Sequence, residues 1–313
     1  MNKNSKTDQL SNKLKDKYQA IRQDPDVHLE GLLHSKPITY WDYIHTDALL
    51  SLQIQRTEFP DEMVFISYHQ INELVFKMIL WEIRQVAEAS PLSLSFFKDK
   101  LMRISRYFDM LTTSFDIMRD GMDVLQYNKF RQTLTPASGF QSAQYRLIEF
   151  ASTERINLID VRFRKKIDTN TSFEEAFDHL YWQAAGKDFK TGQKSILLIN
   201  FENRYKNEFK TFMEAYASKN LWSKFKELPE EHQKDEALIA AMRHYDYTVN
   251  ITWVMAHYNA AKHYILGKDG DGAATGGSDW QKYMHPKYQK RIFFPELWSN
   301  EEKDNWGHAV EGL

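Results

Sequence analysis

Two histidines, a tyrosine–arginine pair and a glycine-rich loop are the parts of this chain whose residue types and spacing could do chemistry. His69 sits in the apolar run Asp61–Gln85 (DEMVFISYHQINELVFKMILWEIRQ), with Phe65 four residues before it and Glu73 four after. At helical pitch the three share a face. An imidazole there either bonds a core partner, Glu73 or a carbonyl, or orients a ligand, because an unpaired buried polar group costs about 1–3 kcal/mol. His257 has Trp253 at i−4, Ala260 and Ala261 at i+3 and i+4, and Ala256 next to it. Small residues beside an imidazole leave room for a flat, wide group such as haem, whose iron takes a histidine as axial ligand. They serve a close helix–helix contact equally well.

Tyr127 and Arg131 are spaced i,i+4, with Phe130 and Leu134 alongside. A guanidinium fork with a phenol beside it can grip a carboxylate. The same Arg also fits a surface helix, its charge paired with Asp123 or Glu149. The loop GKDGDGAATGGSDW (Gly267–Trp280) is the most glycine-dense stretch. It has neither the Gly-Lys-Ser/Thr of a P-loop nor the acceptor series and closing Glu of an EF-hand. It reads as a loop that folds over a ligand, offering Thr275 and backbone N–H groups. A di-iron carboxylate centre is excluded, because that site needs two Glu-x-x-His motifs and the chain has none.

Helices must position these residues. Gly is absent from Leu32 to Asp120 and from Gln193 to Leu266, and Pro from Ala137 to Leu228. Apolar patterns of helical period recur, and period-2 runs are nearly absent, so the expected fold is all-α. The expected helices are a charged one over residues 1–24, broken at Asp24-Pro25-Asp26 and frayed at its start, then Ile38–Gln53 with Thr39 as N-cap. Asp61–Ala89, Ser95–Arg119, Met122–Leu134 and Phe140–Ala151 follow. Residues 152–228 read as peripheral helices, and Asp246–Leu266 as an apolar helix carrying His257. The run over Asp61–Gln85 has apolar residues on nearly every side, as in a helix buried within a bundle.

Composition bounds the rest. The chain has 313 residues, 42% hydrophobic, with 8 Trp, 16 Tyr and 20 Phe, enough for a sizeable core. Without repeat or linker, one domain over 1–313 is the simpler expectation. A formal net charge of −2 gives no general pull toward nucleic acid or anionic lipid. The absence of Cys excludes disulfides, thiolate nucleophiles and Fe–S clusters. The polar N-terminus lacks a signal-peptide core, and no run approaches the ~18 apolar residues of a membrane span, so a cytoplasmic location is expected.

Taken together the motifs form an ordered set: Tyr40-Trp41-Asp42-Tyr43; Asp61-Glu62, Phe65-Ile66, His69-Gln70 and Glu73-Leu74; Phe130-Arg131; SGFQSAQYR from Ser138; His257; and Thr275-Gly276-Gly277-Ser278. This set resembles the tryptophan 2,3-dioxygenase family from about Tyr40 to Trp298, most closely over residues 60–82 and 127–150. The resemblance implies a single helical-bundle domain enclosing a b-type haem (heme b), with His257 as proximal ligand to the iron and Gly139 beside the haem edge. It implies that His69 is the distal histidine and catalytic residue facing the substrate indole, acting as an orienting partner rather than an obligatory base. Phe65, Ile66, Ser67 and Tyr68 fall in the same substrate segment. Tyr127 and Arg131 match the carboxylate pair, Leu134 and Ser138 the pocket wall, and Thr275 the loop contact to the amino-acid backbone. Tyr40 and Tyr43 match residues lent to a neighbouring subunit in a homotetramer, a dimer of dimers.

The implied activity inserts both atoms of O2 across the indole C2=C3 bond of L-tryptophan at ferrous haem, giving N-formylkynurenine. The residues suit such a substrate: a flat zwitterion needs an Arg, a hydrogen-bonding loop, an aromatic slot and one polar contact for the indole N–H. This chain departs from the family pattern at Trp41 and Val75, in the Trp-Val-Met-Ala before His257 where arginines are common, and in a loop about four residues longer before Thr275. Two other readings share His257. One is a haem-dependent monooxygenase hydroxylating an aromatic amino acid; the other is a haem-based sensor or carrier, which would have no use for Arg131 and Tyr127.

Overall fold

The structure, a computed structural model, describes residues 5–134, 139–188, 191–265 and 284–308. The chain divides into two compact units, residues 1–53 and 54–313. In the first, α1 (Lys6–Ala20) opens with a capping box between Ser5 and Asp8, and Asp24 caps α2 (Pro25–His34). Thr39 caps α3 (Tyr40–Ile44) as expected, its hydroxyl accepting the Asp42 N–H. The helix expected over Ile38–Gln53 is nevertheless two pieces. His45 takes a left-handed conformation (φ 57°) between α3 and α4 (Thr46–Leu50). Neither piece buries a residue within the unit, so no packing opposes that break.

The second unit is built on two long helices, α5 (Asp61–Glu88) and α6 (Leu94–Asp120). The acids Asp61 and Glu62 sit at the positive end of α5, and the Glu62 carboxylate also accepts the Arg56 and Thr57 N–H groups. Gly121 closes α6, and the Asp123 carboxylate caps α7 (Val124–Phe130) by accepting the Gln126 N–H. The helix expected to run to Leu134 tightens instead into a 3-10 turn over Arg131–Leu134. A second 3-10 turn, Gly139–Gln141, precedes α8 (Ala143–Ser152).

The short α9 (Phe173–Phe177), the long α10 (Ile196–Tyr216) and the short α11 (Leu221–Lys226) and α12 (Glu230–Gln233) lead to α13 (Glu236–Tyr247) and α14 (Trp253–Ile265). Among the described residues the fold is all-α, with only two isolated bridges, Ile159–Leu180 and Lys187–Lys194. α6 is the hub: α5, α13 and α14 all pack on it, and α5 packs on α8 as well. A buried ion pair ties α5 to α6, with Lys100 Nζ 2.6 Å from Glu82.

Three expectations are corrected here. Residues 152–228 are not peripheral: Phe177, Trp182, Phe201, Phe209 and Trp222 enter the main core with residues of α5 and α6. Short elements deliver Phe177, Trp182 and Trp222, whereas Phe201 and Phe209 come from one face of the long helix α10. The helix expected over Asp246–Leu266 is not regular: α13 runs into α14 through a π-helical turn, Thr248–Thr252. Finally, α5 is not buried all round within the chain. Ile71, Leu74, Met78 and Trp81 form an exposed apolar stripe along it, with Trp81 60% exposed.

Candidate functional site

The helical pitch of α5 places Phe65 and His69 one above the other, with ring centroids 4.1 Å apart. The His69 ring is bonded to the Phe65 carbonyl, Nδ1···O 2.7 Å. Because the partner is a carbonyl, Nδ1 carries the proton and Nε2 keeps its lone pair. Of the two partners the spacing allows, a carbonyl or Glu73, it is the carbonyl that bonds the ring. The Glu73 carboxylate accepts from the Ser142 hydroxyl (2.7 Å) and the Gln144 amide (2.8 Å), so it fastens the SGFQSAQ segment to α5. His69 is not a core histidine: it stays accessible while Phe65 and Tyr68 wall its ring. Protein is packed around the ring closely enough to desolvate its charged form even though the residue is exposed. Burial lowers its pKa, against the Phe65 carbonyl and the Glu73 charge, which raise it.

His257 is half-buried on α14. The Phe115 ring stacks on it at 5.3 Å and 13°, and Trp253 lies 6.0 Å away. Burial pulls its pKa down to about 4, and the His69 charge, near enough to be felt, adds to the shift. It is therefore neutral at pH 7 and has a lone pair to donate. Among the described residues neither ring nitrogen has a hydrogen-bond partner.

An aromatic wall joins the two imidazoles. Tyr68 sets its ring edge-on to His69 at 5.6 Å and lies 5.8 Å from Phe115. On the other side Phe65 packs on Phe130 (5.6 Å) and lies 6.2 Å from Tyr127. Tyr127 in turn lies 4.4 Å from Tyr264. Leu134, Ala256 and Ala260 complete this cluster, so the alanines beside His257 share an apolar body with Phe65 and Tyr127.

Arg131 opens the 3-10 turn and is only 7% exposed, not a surface residue. Its charge acts on Tyr127, lowering a phenol pKa that burial raises. Glu149 does not serve Arg131; it is held by Arg146 and Arg291. Ile66 and Ser67 are half-buried, and the helical pitch turns them about 100° and 200° from the Phe65 direction. Gly139 begins the second 3-10 turn. Ser138 and Thr275 lie outside the described residues. Tyr40 and Tyr43 belong to the first unit, on α3, and each is 72% exposed.

The residues present fit a haem. His257 is a neutral imidazole donor, bordered by alanines and, among the described residues, free of a competing partner. Beside it the Trp253 indole N–H is buried with no acceptor among the described residues, a donor suited to a polar group at the edge of a bound ligand. Sequence reasoning missed Phe115 and Tyr264. Phe115 lies on another helix and had no local signal, whereas Tyr264, two turns after His257, was within reach of the 3.6-residue period.

Comparison with known proteins points the same way. The family model described as "Tryptophan 2,3-dioxygenase" matches residues 29–266. A protein of Bradyrhizobium diazoefficiens named tryptophan 2,3-dioxygenase is 30% identical over 277 residues, 84% of this chain and 92% of that one. One of Bacillus thuringiensis subsp. konkukian with the same name is 29% identical over 299 residues, covering 89% of this chain and 98% of the relative. The match to the namesake of Ruegeria sp. (strain TM1040) is 42% identical but shorter, with 120 residues spanning 38% of this chain and 42% of the other.

Proposed function

Since the chain belongs to the tryptophan 2,3-dioxygenase family, we propose that it is a haem-dependent oxidoreductase cleaving the indole C2=C3 bond of L-tryptophan with O2. The product is N-formylkynurenine. Both oxygen atoms end in it, so the overall reaction needs no external reductant. The observation that carries the reading is the pair of electrostatically coupled imidazoles, one without a partner, joined by an aromatic wall that continues to Tyr127, beside the buried Arg131.

In this reading His257 holds the haem iron, with Gly139 at the haem edge. Bound haem supplies the iron chemistry that lets O2 react with a closed-shell indole. His69, its Nδ1–H tied to the Phe65 carbonyl, offers Nε2 to the indole N–H and fixes the ring's orientation. Phe65 and Tyr68 flank the indole. Arg131 and Tyr127 take the carboxylate, Leu134 and Ser138 line the pocket, and Thr275 meets the amino-acid backbone.

The proposed assembly is a homotetramer, a dimer of dimers in which Tyr40 and Tyr43 complete a neighbour's pocket. Two apolar surfaces support it: the α3 aromatics and the α5 stripe Ile71, Leu74, Met78 and Trp81, both exposed in the single chain. Among the described residues no helix is long and apolar enough to cross a membrane; the proposed location is the cytoplasm.

The test is anaerobic reduction of the haem-loaded protein, then addition of L-tryptophan and O2. N-formylkynurenine is expected. A hydroxylated amino acid, or no turnover, would overturn the proposal. His257→Ala should lose the haem; unchanged stoichiometry and axial spectrum would remove the ligand assignment.

A further inference from the structure

Behind the His257 helix lies a buried polar cluster that the proposed chemistry does not use. Asn250, in the middle of the π-turn Thr248–Thr252, donates from its amide to the Asp246 carboxylate at 2.6 Å. Its amide oxygen accepts from Arg291 Nε, and Arg291 Nη2 reaches the Val249 carbonyl at 3.4 Å. Asp246 also accepts the N–H groups of Phe293 (2.9 Å) and Phe294 (3.0 Å) and the Trp298 indole N–H (3.0 Å). Arg291 pairs with Glu149 and donates to the Tyr145 hydroxyl at 2.8 Å. Tyr145 in turn packs on Trp253, 4.8 Å away, one turn before His257. Arg291, Asn250, Asp246 and Glu149 are each at most 3% exposed.

A π-turn accommodates one residue more than an α-helix, so relaxing it to α would rotate everything downstream by about 100°. Such a rotation would take His257 off the face it shares with Phe115 and the alanines. The segment 291–298 meets this turn through Arg291, which engages both Val249 and Asn250, and through the three donors to Asp246.

We infer that this segment is a clamp on the π-turn, and that Asn250, Arg291 and Asp246 are positioning residues that aim His257 at the haem. The inference rests on the haem reading above and adds to it residues that touch neither haem nor substrate. Removing the Asn250 amide breaks the link between Arg291 and Asp246 while leaving both charges their other partners. The imidazole should then be aimed less firmly, as when other groups that orient metal ligands are lost, an effect on the order of 10- to 100-fold in affinity.

The experiment uses the haem-loaded protein and its Asn250→Ala and Arg291→Lys variants. It measures the rate of haem transfer to an excess of apomyoglobin and the iron–histidine stretching band of the reduced protein. Phe209→Leu, a core truncation on α10 outside the polar cluster, serves as the control for lost stability, with the melting temperature measured for every variant. Asn250→Ala should lose haem at least roughly tenfold faster than this control and show a shifted or broadened band. Arg291→Lys, which keeps the charge beside Glu149 but not the fork, should fall between it and wild type. If Asn250→Ala fails to fold, Arg291→Lys against the same control decides the matter. Haem transfer and band position equal to those of Phe209→Leu would overturn the clamp. Retention of normally ligated haem in His257→Ala would instead overturn the haem reading, so the two failures are distinguishable.

Discussion

Arg131→Ala separates an amino-acid oxygenase from a generic haem protein. Arg131 is 7% exposed, on the turn after Tyr127, whose phenol feels its charge. A substrate carboxylate entering here would exchange water for a charge-assisted fork and a phenol hydroxyl. Truncating one partner of such a pair in a dry pocket costs about 2–5 kcal/mol, so kcat/KM for L-tryptophan should fall roughly 30- to several-thousand-fold. Arg131→Lys should recover part of the loss, because an ammonium keeps the charge but not the planar fork. The assay compares L-tryptophan with tryptamine, which lacks the carboxylate, in wild type and both variants, with haem absorbance and melting temperature measured alongside. Tryptamine should be a poor substrate for wild type and lose little more in Arg131→Ala. Equal turnover of the two substrates by wild type, or an equal fall for both in the variant, would refute the carboxylate assignment. Lost haem would mean that Arg131 supports the fold of the site rather than the substrate.

Two further outcomes are expected. Trp81→Glu, which puts a charge in the centre of the α5 stripe, should reduce the assembly to smaller species in sedimentation; an unchanged tetramer would exclude that stripe from the interface. For the haem-free chain, burial holds His257 at about 4, below the ~6.5 of a free imidazole. Between those values the unfolded chain binds a proton that the folded one refuses, so stability falls as pH drops from about 6.5 to about 4 and levels off below that. Thermal melts of His257→Phe should show a shallower slope over this range, and an undiminished slope would contradict the burial of a neutral imidazole.

The residues with chemistry were legible in the sequence because local spacing determines much of their placement. Phe65 and His69 share a face by helical pitch alone, and the Tyr127–Arg131 pair follows from the same rule. What escaped were the partners supplied from far along the chain. The spacing leaves Glu73 and a carbonyl open as partners of His69, and the choice falls to the carbonyl because Ser142 and Gln144, 69 and 71 residues beyond Glu73, hold that carboxylate. The π-turn was hidden for the same reason. Thr248–Thr252 reads as ordinary helix, and Arg291 is 41 residues past Asn250. The exposed stripe of α5 is not legible because apolar residues on every side of a helix do not say whether its own chain covers each face.

These partners also account for the buried charge behind the site. Two guanidiniums, Arg146 and Arg291, stand against two carboxylates, Glu149 and Asp246, all buried. Isolated charges there would cost several kcal/mol each, and a well-packed apolar cluster would often serve stability as well or better. Direction is what the charged groups add. An apolar contact tolerates small rotations, whereas the Asn250 amide, bonded on one side to Asp246 and on the other to Arg291, accepts one setting of the π-turn. The same guanidinium bonds Tyr145, whose ring packs on Trp253, so the backbone and the packing before His257 answer to a single residue. If His257 is the ligand proposed here, it needs its aim fixed more than its helix needs stability, and the polar cluster is placed to fix it.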